Sequence, residues 1–226
     1  MKSSEDTLIL GIDAGSVSIH LTAVDKNGSP VFNDSTFHYG EVKETLTGML
    51  EHLGDRGILQ NVGHVAKTAA TPGFITADSI IDEQVAIIRS VRSRCPEAAG
   101  LLNIGGEKFS LSIFDGTGNY TGARHNTSCA AGTGSFLDQQ AGRLKLAGSQ
   151  EISARALENT GTRPDIATRC AVFAKTDLIH AQQEGYNIQQ ICDGLCYGLA
   201  KNIANTLFKQ KSPPGKVVFC GGVSQN

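Results

Sequence analysis

Two cysteines in this sequence stand directly before stretches that have the pattern of a helix start. Cys129 precedes the glycine loop AAGTG of residues 130–134, and Cys170 precedes a helical pattern that begins with AVFA. The N-terminus of a helix carries free N–H donors and a partial positive charge, which favour a thiolate. A cysteine in that position is therefore a candidate reactive thiol or metal ligand, and the alternative is a small buried hydrophobe.

Four groups of glycines form a second set of candidate binding residues. They lie at Gly11–Gly15, Gly105–Gly106, Gly132–Gly134 and Gly221–Gly222, and each follows or opens a regular element. Backbone N–H groups in such turns bind phosphate oxygens, and glycine lets the backbone approach closely. A single pair of this kind more often marks an ordinary tight turn, so its meaning depends on the order of all four groups along the chain.

The hydrophobic pattern predicts the elements that position these residues. In the first half it predicts strands at 8–13, 18–24, 30–37 and 62–67, and helices at 41–52 and 80–92. In the second half it predicts three strands, then helices at 130–144, 152–159, 170–183 and 188–209, and a last strand at 216–220. This order indicates an α/β fold with two lobes.

The first hairpin of the chain is repeated later. LGIDAGSVSIHLTAVDKNG aligns with GLLNIGGEKFSLSIFDGTG at an offset of 90 residues, which places Asp13 on Asn103 and Gly15 on Gly105. Both copies read as a strand, a D/N-x-G turn, a second strand and a D-x-x-G turn. A duplicated hairpin implies two similar lobes that face each other, with glycine turns that share a polyanionic ligand.

The composition excludes several classes of protein. The 226 residues carry a net charge of −2, so the chain lacks the excess of basic residues that would indicate a nucleic-acid partner. Hydrophobic residues make up 40% of the chain, as in an ordinary globular protein. The longest apolar runs are far shorter than the ~20 residues that a membrane-spanning helix needs. The N-terminus MKSSEDT lacks the pattern of a signal peptide, and the six cysteines do not suggest a secreted disulfide scaffold. We therefore expect a cytoplasmic protein without a membrane partner.

Five segments resemble, in order, the motifs of the 2-hydroxyacyl-CoA dehydratase activators, which belong to the BadF/BadG/BcrA/BcrD ATPase family within the actin/Hsp70/sugar-kinase superfamily. They are GIDAGS, IGGEK, CAAGTGSFLDQQA, RCAVFAKTDLI and VVFCGGVSQN, and the resemblance covers most of residues 7–226. The chain looks most like the N-terminal activator-like domain of the large CoA-substrate-specific activases. The resemblance implies an actin-like, ribonuclease H-like fold with lobe I at 1–98 and lobe II at 99–226. Because the family continues beyond VVFCGGVSQN, it also implies that lobe II is incomplete at its C-terminus.

The resemblance implies a function as well. Such activators are homodimers that bind ATP or ADP with Mg²⁺ and hold one [4Fe-4S] cluster at the dimer interface. The positions that match the cluster ligands are Cys129 and Cys170. Two cysteines from each subunit would supply the usual four ligands. A low-potential electron would pass from reduced ferredoxin or flavodoxin through the cluster to a 2-hydroxyacyl-CoA dehydratase or a reductase.

The family motifs also assign a nucleotide site by resemblance. Asp13 should orient Mg²⁺ or its water. The first phosphate loop should contribute Ala14, Gly15, Ser16 and Ser18, and the second loop should contribute Gly105 and Gly106. Gly132, Thr133 and Gly134 should lie near the phosphates, and Gly221 and Gly222 should pass the adenosine.

One position departs from the family pattern. The activators usually read D-I-G-G-Q-D at the second loop, whereas this chain reads NIGGEK from Asn103 to Lys108. An amide is a weaker partner for Mg²⁺ than a carboxylate and is no base at neutral pH. Glu107, four residues further on, is the candidate that restores the charge. We therefore expect slow hydrolysis, or the use of ATP mainly as a conformational ligand.

The sequence leaves two alternative functions open. A small-molecule kinase of the N-acetylhexosamine type needs a catalytic Asp and a sugar pocket, and Asn103 and the cysteine pair count against it. A non-hydrolysing ATP-sensing domain is favoured by Asn103. The other four cysteines are interpreted as structural, with Cys192 and Cys196 as packed core thiols four residues apart on one helix.

Overall fold

The computed structural model describes residues 7–126, 133–168, 170–208 and 212–225. Contacts between residues divide the chain into two compact units, Met1–Ser90 and Val91–Asn226. The sequence predicts the boundary between the lobes after residue 98, which is eight residues beyond the boundary after Ser90 in the structure. No described helix is long and apolar enough to cross a membrane.

The first unit is a five-stranded sheet in the order β3-β2-β1-β4-β5. Its strands are β1 (Leu8–Ala14), β2 (Ser18–Val24), β3 (Pro30–Phe37), β4 (Val62–Thr68) and β5 (Ser79–Ile81). Helix α1 (Val42–Asp55) belongs to this unit, and helix α2 (Glu83–Arg94) crosses its boundary. Alternate residues of β1 and β2 are buried with the apolar face of α1, so the core lies between the sheet and this helix.

The second unit is a four-stranded sheet in the order β8-β7-β6-β9, and four helices lie wholly within its described residues. Its strands are β6 (Gly100–Ile104), β7 (Phe109–Phe114), β8 (Tyr120–His125) and β9 (Val217–Cys220). Its helices are α3 (Gly134–Leu144), α4 (Ser149–Leu157), α5 (Ala171–Gln183) and α6 (Ile188–Leu207). Helix α6 begins with a capping box, in which Asn187 and Gln190 each accept a hydrogen bond from the backbone N–H of the other. Buried residues along α6 form the centre of this core.

The two sheets repeat one topology, as the internal repeat predicts. In each sheet the first three strands form an antiparallel meander, and the first strand also pairs in parallel with a later strand. The hydrogen bonds of the turns repeat too. The Gly15 N–H donates to the Ser18 carbonyl at 3.0 Å, and the Gly105 N–H donates to the Lys108 carbonyl at 2.8 Å. The predicted α/β fold with a duplicated hairpin is therefore confirmed.

Three predicted helices start at other residues in the structure: α3 at Gly134 rather than 130, α4 at Ser149 rather than 152, and the helix predicted over 80–92 at Glu83. The pattern predicts a helix over 80–92, but Ser79–Ile81 pairs with β4 as the edge strand β5, and α2 begins only at Glu83. The reason is local, because the Asp82 carboxylate accepts hydrogen bonds from the Gln84 and Val85 N–H groups at 2.9 and 3.1 Å. This cap starts the helix after the two isoleucines, whose branched side chains favour a strand.

Candidate functional site

The predicted first phosphate loop is the turn between β1 and β2, and the end of β4 supports it. The Asp13 carboxylate accepts a hydrogen bond from the Thr68 hydroxyl at 2.7 Å. The Thr71 hydroxyl lies 3.0 Å from that of Thr68 and accepts a hydrogen bond from the Ala14 N–H at 2.9 Å. This network fixes the carboxylate and the strand end that carries it, while Ser16 is exposed at the tip of the turn.

Motif comparison missed Thr68 and Thr71, although the topology contains a signal for them. Strands β1 and β4 are parallel, so their carboxyl ends meet at the same edge of the sheet. Polar residues that end β4 must then lie beside Asp13. His38 was also missed. Its ring is buried, and the Nε2 atom lies 3.1 Å from the Gly15 carbonyl oxygen.

The predicted second phosphate loop, between β6 and β7, has a different polar pair at its base. Asn103 lies near the end of β6 where Asp13 lies near the end of β1, and its amide oxygen lies 3.6 Å from the Cys220 sulfur. In the first unit the corresponding pair is the Asp13 carboxylate and the Thr68 hydroxyl. The second loop therefore lacks the negative charge that the first loop has at this position. Glu107, the predicted replacement for that charge, is exposed in the turn.

Three glycine-containing segments converge at the second loop. The Gly134 N–H donates to the Gly105 carbonyl at 3.0 Å, and the Ser135 N–H donates to the Gly106 carbonyl at 2.9 Å. Gly221 packs so tightly against the end of β6 that an added Cβ would lie 2.3 Å from the Ile104 carbonyl oxygen. The second loop, the first turn of α3 and the segment after β9 thus form one cluster.

Other predicted residues of this cluster have different surroundings. Thr133 is fully buried as the residue that precedes α3, and Gly222 is exposed. Gly132 lies outside the described residues, as does Cys129. The described residue before that gap, Asn126, exchanges hydrogen bonds with the Phe109 backbone at 3.0 and 3.1 Å. Both described ends of the gap are therefore tied to the hairpin that contains the second loop.

Cys170 occupies the N-cap position of α5, as the sequence predicts. The backbone N–H groups of Phe173 and Val172, in the first turn of the helix, lower the pKa of its thiol. Val172 and Phe173 are apolar and are 69% and 65% exposed. A partly exposed thiol with a lowered pKa has the chemistry of a metal ligand, and it lies beside an exposed apolar surface.

Two neighbouring elements position Cys170. The Arg143 guanidinium of α3 donates to the Ala171 carbonyl at 2.9 Å and to the Gln140 side-chain oxygen at 2.8 Å. On the other side, the Thr168 hydroxyl donates to the Gly198 carbonyl of α6 at 2.6 Å. The start of α5 is therefore held both by α3, whose first turn is bonded to the second loop, and by α6, the central helix of the core.

The remaining cysteines that show a pKa shift behave as packed thiols. Burial raises the pKa of Cys192 to about 12 and that of Cys220 to about 11, and it also raises the pKa of Cys196. Thiols of this kind are unreactive and are poor metal ligands at neutral pH. Within the described part of the chain, no group of three or more His, Cys, Asp or Glu side chains is arranged to hold a metal ion.

The repeated sheet, with a glycine turn after the first strand of each copy, defines the actin-like, ribonuclease H-like class of fold. The profile of the BadF/BadG/BcrA/BcrD ATPase family matches residues 10–226. The chain belongs to this family, and the resemblance in its motifs is confirmed.

Relatives and solved structures agree with this assignment. The 2-hydroxyisocaproyl-CoA dehydratase activator of Clostridioides difficile is 29% identical over 220 residues, which cover 96% of this chain and 81% of the relative. The (R)-2-hydroxyglutaryl-CoA dehydratase activating ATPase of Acidaminococcus fermentans is 25% identical over 223 residues, with 96% and 83% covered. The solved structure of the Clostridium difficile activator with bound ADPNP superposes with a TM-score of 0.85 at 24% identity, over 97% of this chain and 82% of that one.

Proposed function

We propose that this protein is an ATP-dependent activator that passes one low-potential electron, through a [4Fe-4S] cluster shared by two copies of the chain, to a CoA-ester dehydratase or reductase. Two relatives, named as a dehydratase activator and as a dehydratase activating ATPase, support the activator role and the ATP dependence in this proposal. The observation that carries it is that α3 contacts the second loop at one end and the neighbour of Cys170 at the other. This helix begins on the second phosphate loop at Gly134, and near its other end Arg143 holds Ala171, the neighbour of Cys170.

Each unit contains a glycine turn that is proposed to bind phosphate. In the first unit, Asp13 would position Mg²⁺ or its bound water, and Thr68 holds that carboxylate in place. The N–H groups of each glycine turn are the proposed donors to phosphate oxygens. Gly222 would pass the adenosine. Catalysis at such a site consists of positioning and of charge stabilisation around the terminal phosphate.

The described residues fit a role in cluster binding. The Cys170 thiol has a lowered pKa, is partly exposed and lies at the N-terminus of α5, which is the environment that a ligating sulfur needs. Cys129 is proposed as the second ligand from each chain. When bound, the cluster would supply a one-electron carrier of low potential. The exposed Val172 and Phe173 beside Cys170 suit an interface between two copies, which would bring four cysteines together.

Nucleotide binding and the surroundings of Cys170 would be coupled through α3. A shift of the second loop moves the Gly105 and Gly106 carbonyls, and the first turn of α3 is bonded to both. Arg143 passes that movement to the first turn of α5. The state of the nucleotide would therefore change the geometry at Cys170 without a contact between the two ligands.

Hydrolysis at this site is proposed to be slow. Asn103 carries no negative charge at the position where Asp13 has one in the first unit, and its partner is a thiol with a raised pKa. The test is single-turnover hydrolysis of MgATP by the wild type beside Asn103→Asp. We expect faster hydrolysis by the variant, and an unchanged rate would refute this assignment of Asn103.

Electron transfer is tested without oxygen, with the reduced, iron-loaded protein and a viologen dye as a one-electron acceptor. We expect the dye to be reduced faster with MgATP than with MgADP. The Arg143→Ala variant should still bind nucleotide but should lose this difference, because the bond to Ala171 is gone. Equal rates with MgATP, with MgADP and without nucleotide in the wild type would contradict the proposed function.

A further inference from the structure

His38 lies in the connection between β3 and α1, and its buried ring has a polar partner on each nitrogen. Nδ1 lies 3.0 Å from the Gly40 nitrogen, and Nε2 lies 3.1 Å from the Gly15 carbonyl oxygen. A backbone N–H can only donate and a carbonyl can only accept. Both bonds therefore form together only in the neutral ring that has its proton on Nε2.

The backbone after His38 is shaped to make this arrangement. Tyr39 and Gly40 both have left-handed conformations, with φ of 48° and 93°. Such a conformation is unusual for a residue with a side chain, and here it brings the Gly40 N–H back to the ring. The His38 N–H also donates to the Val17 carbonyl at 3.2 Å. The connection thus contacts the first phosphate loop through both its side chain and its backbone.

The bond to Gly15 sets the direction of the next N–H group. The peptide between Gly15 and Ser16 is planar and trans, so its carbonyl and its N–H point in opposite directions. Because the carbonyl points to the buried ring of His38, the Ser16 N–H must point away from it. Ser16 is exposed at the tip of the loop, where an anion can reach this donor.

We infer that His38 is a positioning residue for phosphate binding, which presets the Ser16 N–H by holding the Gly15 carbonyl. This inference rests on the proposed nucleotide site, because it assigns a role to the support of that site. The residue touches no phosphate itself. Its contribution is to remove the cost of orienting the peptide when the nucleotide binds.

Two substitutions separate the two bonds of the ring. His38→Gln places an amide at the position of Nε2 and keeps a donor for the Gly15 carbonyl. His38→Asn is shorter, so it can accept from the Gly40 N–H two residues on but cannot reach Gly15. We expect the His38→Asn variant to bind MgADPNP about tenfold more weakly than the wild type does, and the His38→Gln variant to keep most of the affinity.

The experiment is calorimetric titration of the full chain with MgADPNP, with thermal unfolding of each variant as the check on folding. Equal affinities in all three proteins, or equal losses in both variants, would overturn the inference. A wild type that does not bind MgADPNP would overturn the proposed nucleotide site, and the inference with it. If the His38→Asn variant does not fold, ¹⁵N chemical shifts of the wild-type ring decide: a proton on Nε2 supports the inference, and a proton on Nδ1 refutes it.

Discussion

Gly221 and Gly222 stand side by side in the segment proposed to pass the adenosine, but only Gly221 is required to be glycine by its surroundings. Its φ is +89°, and a Cβ would lie 2.3 Å from the Ile104 carbonyl oxygen and 2.6 Å from the Asn103 side-chain oxygen. No described atom lies within 4 Å of the position that a Cβ of Gly222 would take. The pair therefore offers a substitution and its matched control at adjacent positions.

Two effects determine how much Gly221→Ala lowers the free energy of unfolding. A left-handed conformation costs a residue with a side chain about 1–2 kcal/mol. Relief of an overpacked contact with backbone costs about 1–3 kcal/mol. We therefore expect a loss of about 2–5 kcal/mol in the free energy of unfolding of the second unit. For a chain of this size, each kcal/mol lowers the melting temperature by about 2–4 °C.

The assay is thermal unfolding followed by circular dichroism, together with MgADPNP affinity at a temperature where the variant is folded. Gly222→Ala should stay within about 0.5 kcal/mol of the wild type. The Gly221 substitution should also weaken nucleotide binding, because the segment after β9 has to move away from the second loop. Equal melting temperatures for the two variants would refute this account of how the three segments converge.

Further predictions concern the position of Cys170. Gly198→Ala would place a Cβ 2.6 Å from the Ile166 carbonyl oxygen, so this variant should have a lower melting temperature than the wild type. The control is Gly48→Ala on α1, which should not lower the melting temperature, because no described atom lies within 4 Å of the added Cβ. In the cluster-free protein at pH 7, iodoacetamide should modify Cys170 faster than Cys220, since the pKa of Cys170 is lowered and that of Cys220 is raised to about 11. Peptide mass spectrometry over a time course measures both rates, and faster modification of Cys220 would contradict the assigned environments.

Local signals in the sequence were sufficient for much of the fold. Strands β2 and β3 have the predicted bounds of 18–24 and 30–37, because a D-x-x-G turn separates two runs of strand-forming residues. The duplicated topology followed from matching turn residues at a fixed offset. Strand β5 was missed because it has only three residues, and its pairing with β4 is not local in sequence.

The candidate site was predictable only where a motif marks it. The glycine turns and Cys170 have such a signature, and the structure places the second loop, Gly134 and Gly221 together. The hydroxyl of Thr68 and the ring of His38 have none, because each meets its loop only through the sheet topology or through an unusual backbone turn. Contacts of this kind depend on tertiary structure, which a pattern of residue types does not encode.

Two copies of this chain are proposed to share one cluster through Cys129 and Cys170. The most direct measurement is the content of iron and acid-labile sulfide, with the mass in solution, of protein purified without oxygen. We predict about four irons per dimer in the wild type and in the matched control Cys95→Ser, and loss of that iron in Cys129→Ser. An iron-free monomer, even after anaerobic reconstitution of the wild type, would contradict the claim.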